Sequence, residues 1–172
     1  MDELIKSTAE GLDSVGGTIE CVITGVDAGV GEFMFDSVEG QISRLAFSIP
    51  AVKGVEFGAG FSIADMLGSQ ANVCFYAENG KVFTETNNNG GINGGITNGM
   101  PIVFRCAVKP TPSIYKEQNT IDMRNGENTT LQIQGRHDPA IVHRARAVVD
   151  AVSALCIADL LSTKYGTDWL KS

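Results

Sequence analysis

Alternating apolar and polar residues predict a series of short β-strands. In residues 72–86 two such runs flank Asn79 and Gly80, the dipeptide that most strongly favours a two-residue hairpin turn. The other runs are rich in β-branched or aromatic side chains and end at glycine, proline or asparagine. These further predicted strands are residues 17–26, 51–58, 100–110, 119–123 and 129–135.

Apolar residues at helical spacing predict three helices, and a fourth segment, residues 63–67, is predicted as a short helical turn. The predicted helices are residues 2–10, ended by Gly11; 37–48, stopped by Pro50; and 139 to about 165. The second should bury Val38, Ile42, Leu45 and Ala46, and the last Ile141, Ala145, Val148, Val152 and Leu155. Strands and helices follow no regular βαβ order. We therefore expect one α+β domain over residues 1–172, with mixed or antiparallel sheets packed against helices.

Composition and charge exclude several classes of protein. With 43% hydrophobic and 19% charged residues, the chain is globular rather than disordered. A net charge of −7 argues against nonspecific binding to nucleic acid or anionic membranes, and no apolar run is long enough to span a bilayer. We expect a cytoplasmic protein whose isolated cysteines, Cys21, Cys74, Cys106 and Cys156, are reduced core residues. Their spacing does not suggest a metal site.

Residues 86–101 form an unusual loop, TNNNGGINGGITNGMP, crowded with glycine and asparagine. These residues adopt positive φ readily, and glycine lets another group approach the backbone closely. The loop is either a mobile surface segment or a bare backbone surface that offers N–H donors to a flat ring or a phosphate.

Two polar segments are candidates for ligand binding. Residues 109–114, KPTPSI, place an ammonium group and two hydroxyls on stiff backbone after a strand; they form either an anion-binding segment or a proline-rich turn. In residues 135–140, GRHDPA, Asp138 precedes Pro139 and a long helix, the pattern of an N-cap. Asp138 either only caps that helix or joins Arg136 and His137 in binding an anion and moving a proton.

Common catalytic motifs are absent from the sequence. It contains no GxxxxGK phosphate loop, no GxGxxG after a strand and no GxSxG nucleophile elbow. Only two histidines are present, His137 and His143, which gives little support to a zinc hydrolase.

Taken together, these segments resemble chorismate synthase. The motifs occur in that family's order and at close to its spacing, over almost the whole chain. They are DSVGG (13–17), AGVGE (28–32), FD (35–36), SIPAVKGVEFGAGF (48–61), TNNNGGINGGITNG (86–99), KPTPSI (109–114) and GRHDPA (135–140).

The resemblance covers only the C-terminal portion of the family's chain. The family's N-terminal part, with a Gly-acidic-Ser-His-Gly motif, a second functional histidine and a flavin-contacting Arg-Ser-Ser/Ala segment, has no counterpart here. Four positions depart from the family pattern: Leu12, Phe33, Asn89 and Asp150. Of these, Asn89 bears most on function, since it lies in the loop expected to meet the flavin.

The resemblance implies an activity, a cofactor and a set of site residues. The family converts 5-enolpyruvylshikimate 3-phosphate to chorismate by 1,4-anti elimination of phosphate, and it requires reduced FMN. It implies that Asp138 handles protons at the flavin. The residues implied to contact the cofactor are Pro50, Ala51, Gly94, Lys109, Pro110, Thr111, Pro112, Ser113 and Arg136.

The resemblance also implies a homotetramer with flavin sites close to subunit contacts. Because half of the site is missing, the 172-residue chain alone should lack catalysis and bind FMN weakly or not at all. The alternative is a non-catalytic flavin-binding, phosphate-binding or oligomerisation module. In either case the missing N-terminal half is an expected partner, and exposed apolar surface should favour self-association.

Overall fold

A computed structural model of the protein describes residues 1–135 and 137–167. The helices are α1 (Asp2–Glu10), α2 (Val38–Ser48), α3 (Gly68–Ala71) and α4 (Val142–Tyr165), with a 3-10 helix at Gly60–Asp65. The strands are β1 (Gly17–Ile23), β2 (Val52–Phe57), β3 (Phe75–Glu78), β4 (Lys81–Thr84), β5 (Ile92–Asn93), β6 (Ile96–Thr97), β7 (Ile102–Val108), β8 (Gln118–Asp122) and β9 (Glu127–Leu131). The predicted α+β class is confirmed. No helix in these ranges is long and apolar enough to cross a bilayer.

The central sheet has three antiparallel strands in the order β1-β7-β2. Cys21 of β1 and Phe57 of β2 both lie opposite Phe104 of β7, so Phe104 is at the middle of the sheet. Along β7 every second residue is buried, which puts one face of the sheet into the core. Helices α2 and α4 cover that face.

Helix α2 forms as its sequence pattern predicts. The Ser37 side chain accepts a hydrogen bond from the Gly40 amide (3.0 Å) and caps the first turn. Val38, Ile42 and Ala46 are buried, and Leu45 packs at the margin of the core. Pro50 follows directly after the C-cap, Ile49, where the chain turns into β2.

Helix α4 buries a different stripe from the predicted one. Val148 and Leu155, both expected in the core, are 44% and 65% exposed. The helix carries apolar residues around much of its circumference, so helical spacing alone did not determine which side faces the sheet. The buried residues are Val142, Ala145, Val149, Ser153, Cys156 and Leu160.

The hairpin predicted around Asn79 and Gly80 is confirmed. Both residues have positive φ (51° and 74°), as a type I′ turn requires, and they join β3 to β4. The predicted pair near residues 119–135 also forms, as β8 and β9, although β9 begins and ends earlier than expected. Strands β5 and β6 form a small hairpin inside the glycine-rich loop that the sequence pattern did not indicate.

Three cysteines are core residues as expected, but Cys74 is exposed, which corrects the prediction for that residue. All four thiols are free. Burial raises the pKa of Cys106 and of Cys156 to about 11, because the thiolate would lose its hydration. Burial likewise raises the pKa of Cys21.

We expect one cysteine to react with a thiol reagent at neutral pH while the protein remains folded. Cys74 is exposed, whereas the three buried thiols are shielded and held protonated. Mass spectrometry after brief treatment with iodoacetamide should find one label, on Cys74, and denaturant should release three more. Rapid native labelling of Cys106 would contradict this packing.

Candidate functional site

Two of the segments predicted to contact the flavin directly follow secondary-structure elements: Pro50 and Ala51 come after α2, and Lys109 comes after β7. The Lys109 amide donates to the carbonyl oxygen of Ala51 (2.9 Å), which joins the segment after α2 to the segment after β7. Ala51 has φ of +75°, a left-handed conformation that costs an alanine roughly 1–2 kcal/mol. The strained residue therefore coincides with a position that the family resemblance places beside the cofactor.

We expect Ala51→Gly to stabilise the protein by about 0.5 kcal/mol. Relief of the left-handed strain outweighs the added chain entropy of glycine, roughly 0.5–1 kcal/mol. Urea denaturation measures the free energy of unfolding. The matched control is Ala46→Gly inside α2, which should destabilise the protein, because Ala46 is buried and helical. Equal losses from both substitutions would show that Ala51 is not strained.

Thr111 supplies a buried hydroxyl near this junction. Its Oγ1 is buried and has no hydrogen-bond partner among the described residues. Its carbonyl oxygen accepts a hydrogen bond from Ser14 Oγ (2.6 Å), which fixes the segment after β7 against the DSVGG motif. Gly16 makes the close approach possible, because a Cβ there would lie 2.4 Å from the Val108 carbonyl oxygen. A buried hydroxyl without a partner is costly unless a ligand satisfies it.

Ser113 and Asp138 line one small cleft of about 60 Å³. Its wall also includes Ser14, Tyr115 and His137. The Val15 amide donates to the Pro139 carbonyl oxygen (2.8 Å), so the DSVGG motif lies between the two polar segments. The structure thus brings GRHDPA and KPTPSI together, although they are more than twenty residues apart in sequence.

Asp138 is not the N-cap of α4, which corrects that prediction. The helix starts three residues later, after Ile141, and no side chain caps it. Asp138 Oδ1 accepts a hydrogen bond from the Ala140 amide (3.2 Å), and Oδ2 lies 3.3 Å from Arg144 Nε. Asp138 and Pro139 have the sequence pattern of a helix start, but Asp138 lies three residues before the actual N-cap, Ile141. The carboxylate is oriented from two sides and borders a second, larger cleft of about 550 Å³ with His137, Pro139 and Arg144.

Two contacts made by residues of the small cleft were not foreseen from the sequence. Tyr115 donates its hydroxyl proton to the Gly135 carbonyl oxygen, and its ring meets His137 edge-on with centroids 4.7 Å apart. Lys116 Nζ lies 2.7 Å from Asp13 Oδ2, and this hydrogen bond lowers the pKa of the Asp13 carboxyl. No local pattern marks Tyr115, because its partner is twenty residues away.

Gly94 and Lys109 lie near opposite ends of α2. Gly94 is at the tip of the β5–β6 hairpin, where the Val38 amide donates to the Gly95 carbonyl oxygen (3.0 Å) at the start of α2. Lys109 is bonded instead to the chain just beyond the end of α2, and an 11-residue helix is roughly 16 Å long. Within one chain, Gly94 therefore lies apart from the junction of Lys109 with Ala51. Arg136 lies outside the described residues.

The loop of residues 86–101 packs against the rest of the chain. Gly90, Gly91 and Ile92 are buried, and the Gly91 amide donates to Asn87 Oδ1 (2.7 Å). A Cβ on Gly90 would lie 2.6 Å from both the Gly58 nitrogen and the Val103 carbonyl oxygen. Gly94 differs: it has φ of +59°, is exposed, and a Cβ there would meet nothing within 4 Å. Most of these glycines serve the fold, and only Gly94 leaves open space in front of its backbone.

Comparison with known proteins identifies the family. The family model described as chorismate synthase matches residues 1–162. The chain belongs to the chorismate synthase family. It is 52% identical over 161 residues to the chorismate synthase of Lachnoclostridium phytofermentans, covering 93% of this chain and 44% of the relative. It is 50% identical to that of Thermococcus gammatolerans, covering 94% of this chain and 45% of the relative.

A solved chorismate synthase crystal structure has the same fold. The match has a TM-score of 0.77 at 33% identity and covers 96% of this chain but only 42% of that one. The resemblance inferred from the sequence is therefore confirmed, as is its restriction to a C-terminal fragment of the family's chain. The chain spans less than half the length of the chorismate synthases it matches.

Proposed function

We propose that this chain is the C-terminal part of an enzyme that converts 5-enolpyruvylshikimate 3-phosphate to chorismate with reduced FMN. The observation that carries the proposal is the chorismate synthase match over residues 1–162. The reaction is a 1,4-anti elimination: phosphate leaves and a ring proton is lost, without net oxidation or reduction. The proposal extends to a cytoplasmic homotetramer that acts in aromatic amino-acid biosynthesis.

The described residues fit a bound FMN in their chemistry. The unpartnered Thr111 hydroxyl and the Ser113 hydroxyl provide polar atoms, and Lys109 provides a cation suited to the FMN phosphate. Pro50, Ala51, Pro110 and Pro112 would border the flavin with stiff backbone, and Gly94 would lie against it without a side chain in the way. Arg136 completes the proposed set. When bound, reduced FMN supplies an electron transiently as phosphate departs.

Asp138 is the proposed proton-handling group. The Ala140 amide and the Arg144 guanidinium hold its two oxygens in different directions, which fixes the plane of the carboxylate. Its position on the wall of two clefts leaves it reachable by a ligand. A carboxylate held in this way can accept or return a proton without reorienting.

The proposed site is incomplete within this chain. Gly94 and Lys109 are at opposite ends of α2, and relatives more than twice as long carry further sequence. The outward face of α4, with Val148 and Leu155 exposed, is apolar enough to pack against another element. We therefore propose that the missing N-terminal half, a neighbouring copy, or both complete the site, and that this chain alone forms no chorismate.

Complementation tests the proposed function. The 172-residue chain is mixed with the N-terminal part of the Lachnoclostridium phytofermentans enzyme, under anaerobic conditions with reduced FMN. Chorismate should form only when both parts are present, and in a separate titration the fluorescence of oxidised FMN should report tighter flavin binding by the pair. Turnover by the 172-residue chain alone would overturn the claim of incompleteness. Failure of a co-purifying pair to bind FMN would overturn the site assignment.

A non-catalytic module is the second candidate, and the exposed apolar residues favour it. If the chain binds the N-terminal part or itself but the assembly neither binds flavin nor forms chorismate, the chain serves binding or oligomerisation only. The same mixing experiment separates the two functions.

A further inference from the structure

The β3–β4 hairpin is an isolated two-stranded ribbon. Among the described residues it pairs with no third strand, and its packing contacts with other helices and strands are sparse. Phe75 and Val82 are 53% and 59% exposed on one face, while Tyr76 and Phe83 stack on the other with centroids 5.7 Å apart. A ribbon of this kind is marginally stable in water, and its free edges are templates for another strand.

The hydrogen-bond register shows which groups of β4 are free. The Glu85 amide donates to the Cys74 carbonyl oxygen (2.9 Å), so Cys74 and Glu85 form a hydrogen-bonded pair. Because such pairs alternate in an antiparallel ladder, Phe83 and Lys81 also bond to β3. The backbone groups of Val82 and Thr84 therefore point to the outer edge of β4.

We propose that this outer edge of β4 pairs with the same edge of a second copy. Residues 81–85, KVFTE, are self-complementary about Phe83 when two copies run antiparallel. Phe83 then faces Phe83 of the partner subunit, Val82 and Thr84 exchange backbone hydrogen bonds across the axis, and Lys81 lies opposite the other copy's Glu85. This is an isologous contact, in which one patch serves both subunits.

Charge and register favour this edge over the outer edge of β3. Lys81 and Glu85 are exposed, and neither has an ion-pair partner among the described residues. In the proposed pairing Glu85 acquires an opposite charge, and Lys81, which lies across from Glu78 in its own hairpin, gains a second one; each contact occurs twice in the dimer. The equivalent pairing of β3 about Tyr76 would set Cys74 opposite Glu78 and produce no charge pair. The four-stranded sheet β3-β4-β4-β3 that results would be large enough to be stable by itself.

Charge reversal at two positions tests the pairing. Lys81→Glu and Glu85→Lys should each raise the dimer dissociation constant by about tenfold, because like charges then lie opposite each other. The double variant should restore it. The two single changes shift the net charge in opposite directions, so a general charge effect would not weaken association in both. Sedimentation equilibrium of the full 172-residue chain gives the dissociation constants.

Proline substitution provides a matched pair that separates pairing from folding. Val82→Pro removes an amide on the outer edge of β4 and should weaken dimerisation more than tenfold. Ala77→Pro removes the equivalent amide on the outer edge of β3 and should leave dimerisation intact. Circular dichroism confirms that both variants are folded. A monomeric wild-type chain, or association that survives Val82→Pro and both charge reversals, would overturn the proposal, and the latter result would assign association to another surface.

Discussion

Asp138→Asn should lower chorismate formation by about 10²–10⁴-fold in the complemented enzyme, the usual contribution of a positioned proton-transfer group. Asparagine keeps the size of the side chain and still accepts a hydrogen bond from the Ala140 amide. It loses both the charge that faces Arg144 and the ability to take up a proton. The turnover number measured anaerobically with saturating reduced FMN gives the effect.

Asp150→Asn is the control for this prediction. Asp150 is an exposed residue of α4, beyond both clefts that Asp138 borders, so its loss should leave turnover within about twofold. Both variants should co-purify with the N-terminal part as the wild-type chain does. If Asp138→Asn retains near-normal turnover, its carboxylate orients the loop before α4 and does not move a proton.

Phe104→Ala should destabilise the fold by about 3–5 kcal/mol, the largest expected effect on stability. Phe104 is 1% exposed at the centre of β7, with Cys21 and Phe57 opposite on the neighbouring strands. The centroids of the Phe104 and Phe57 rings are 5.8 Å apart. Truncation of Phe104 would therefore leave a cavity between the sheet and the helices. Urea denaturation gives the loss in free energy of unfolding.

Val103→Ala is the matched control, one residue along the same strand. Val103 lies on the other face of the sheet and is only partly buried, so its truncation should cost about 1 kcal/mol. Similar losses at both positions would contradict the assignment of the buried face.

The fold class and most elements could be predicted from the sequence because local signals were strong. Asn79 and Gly80 defined a hairpin turn, and Ser37 and Pro50 bracketed α2. For α4 the local signal was ambiguous, because apolar residues surround the helix and the buried stripe depends on what packs against it. The start of α4 was misplaced because Asp138 bonds to the Ala140 amide and pairs with Arg144 instead of capping the helix, while the Pro139 carbonyl oxygen accepts from the distant Val15 amide.

The candidate site was predictable in part. Lys109 and Ala51 are hydrogen-bonded, and Ser113 and Asp138 line the same cleft, because the segment after β7 lies against both the end of α2 and the loop before α4. Gly94 lies on the β5–β6 hairpin near the start of α2, whereas Lys109 and Ala51 meet beyond the end of that helix, and the contact of Gly94 with a cofactor stays a prediction. Neither the strain at Ala51 nor the Tyr115–His137 contact has a signature in the local sequence.

The packing of the glycine-rich loop affects how its variants would be interpreted. At Gly90, Gly91 and Gly95 a methyl group would collide with backbone oxygen or nitrogen at 2.4–2.6 Å, while at Gly94 it would collide with nothing in this chain. A mutational scan that scores growth would find Gly90, Gly91 and Gly95 intolerant, and that intolerance would reflect low cellular protein abundance. At Gly94 a substitution is strained by the positive φ but meets no neighbouring atom, so a variant there reports on what the loop meets rather than on a clash within this chain.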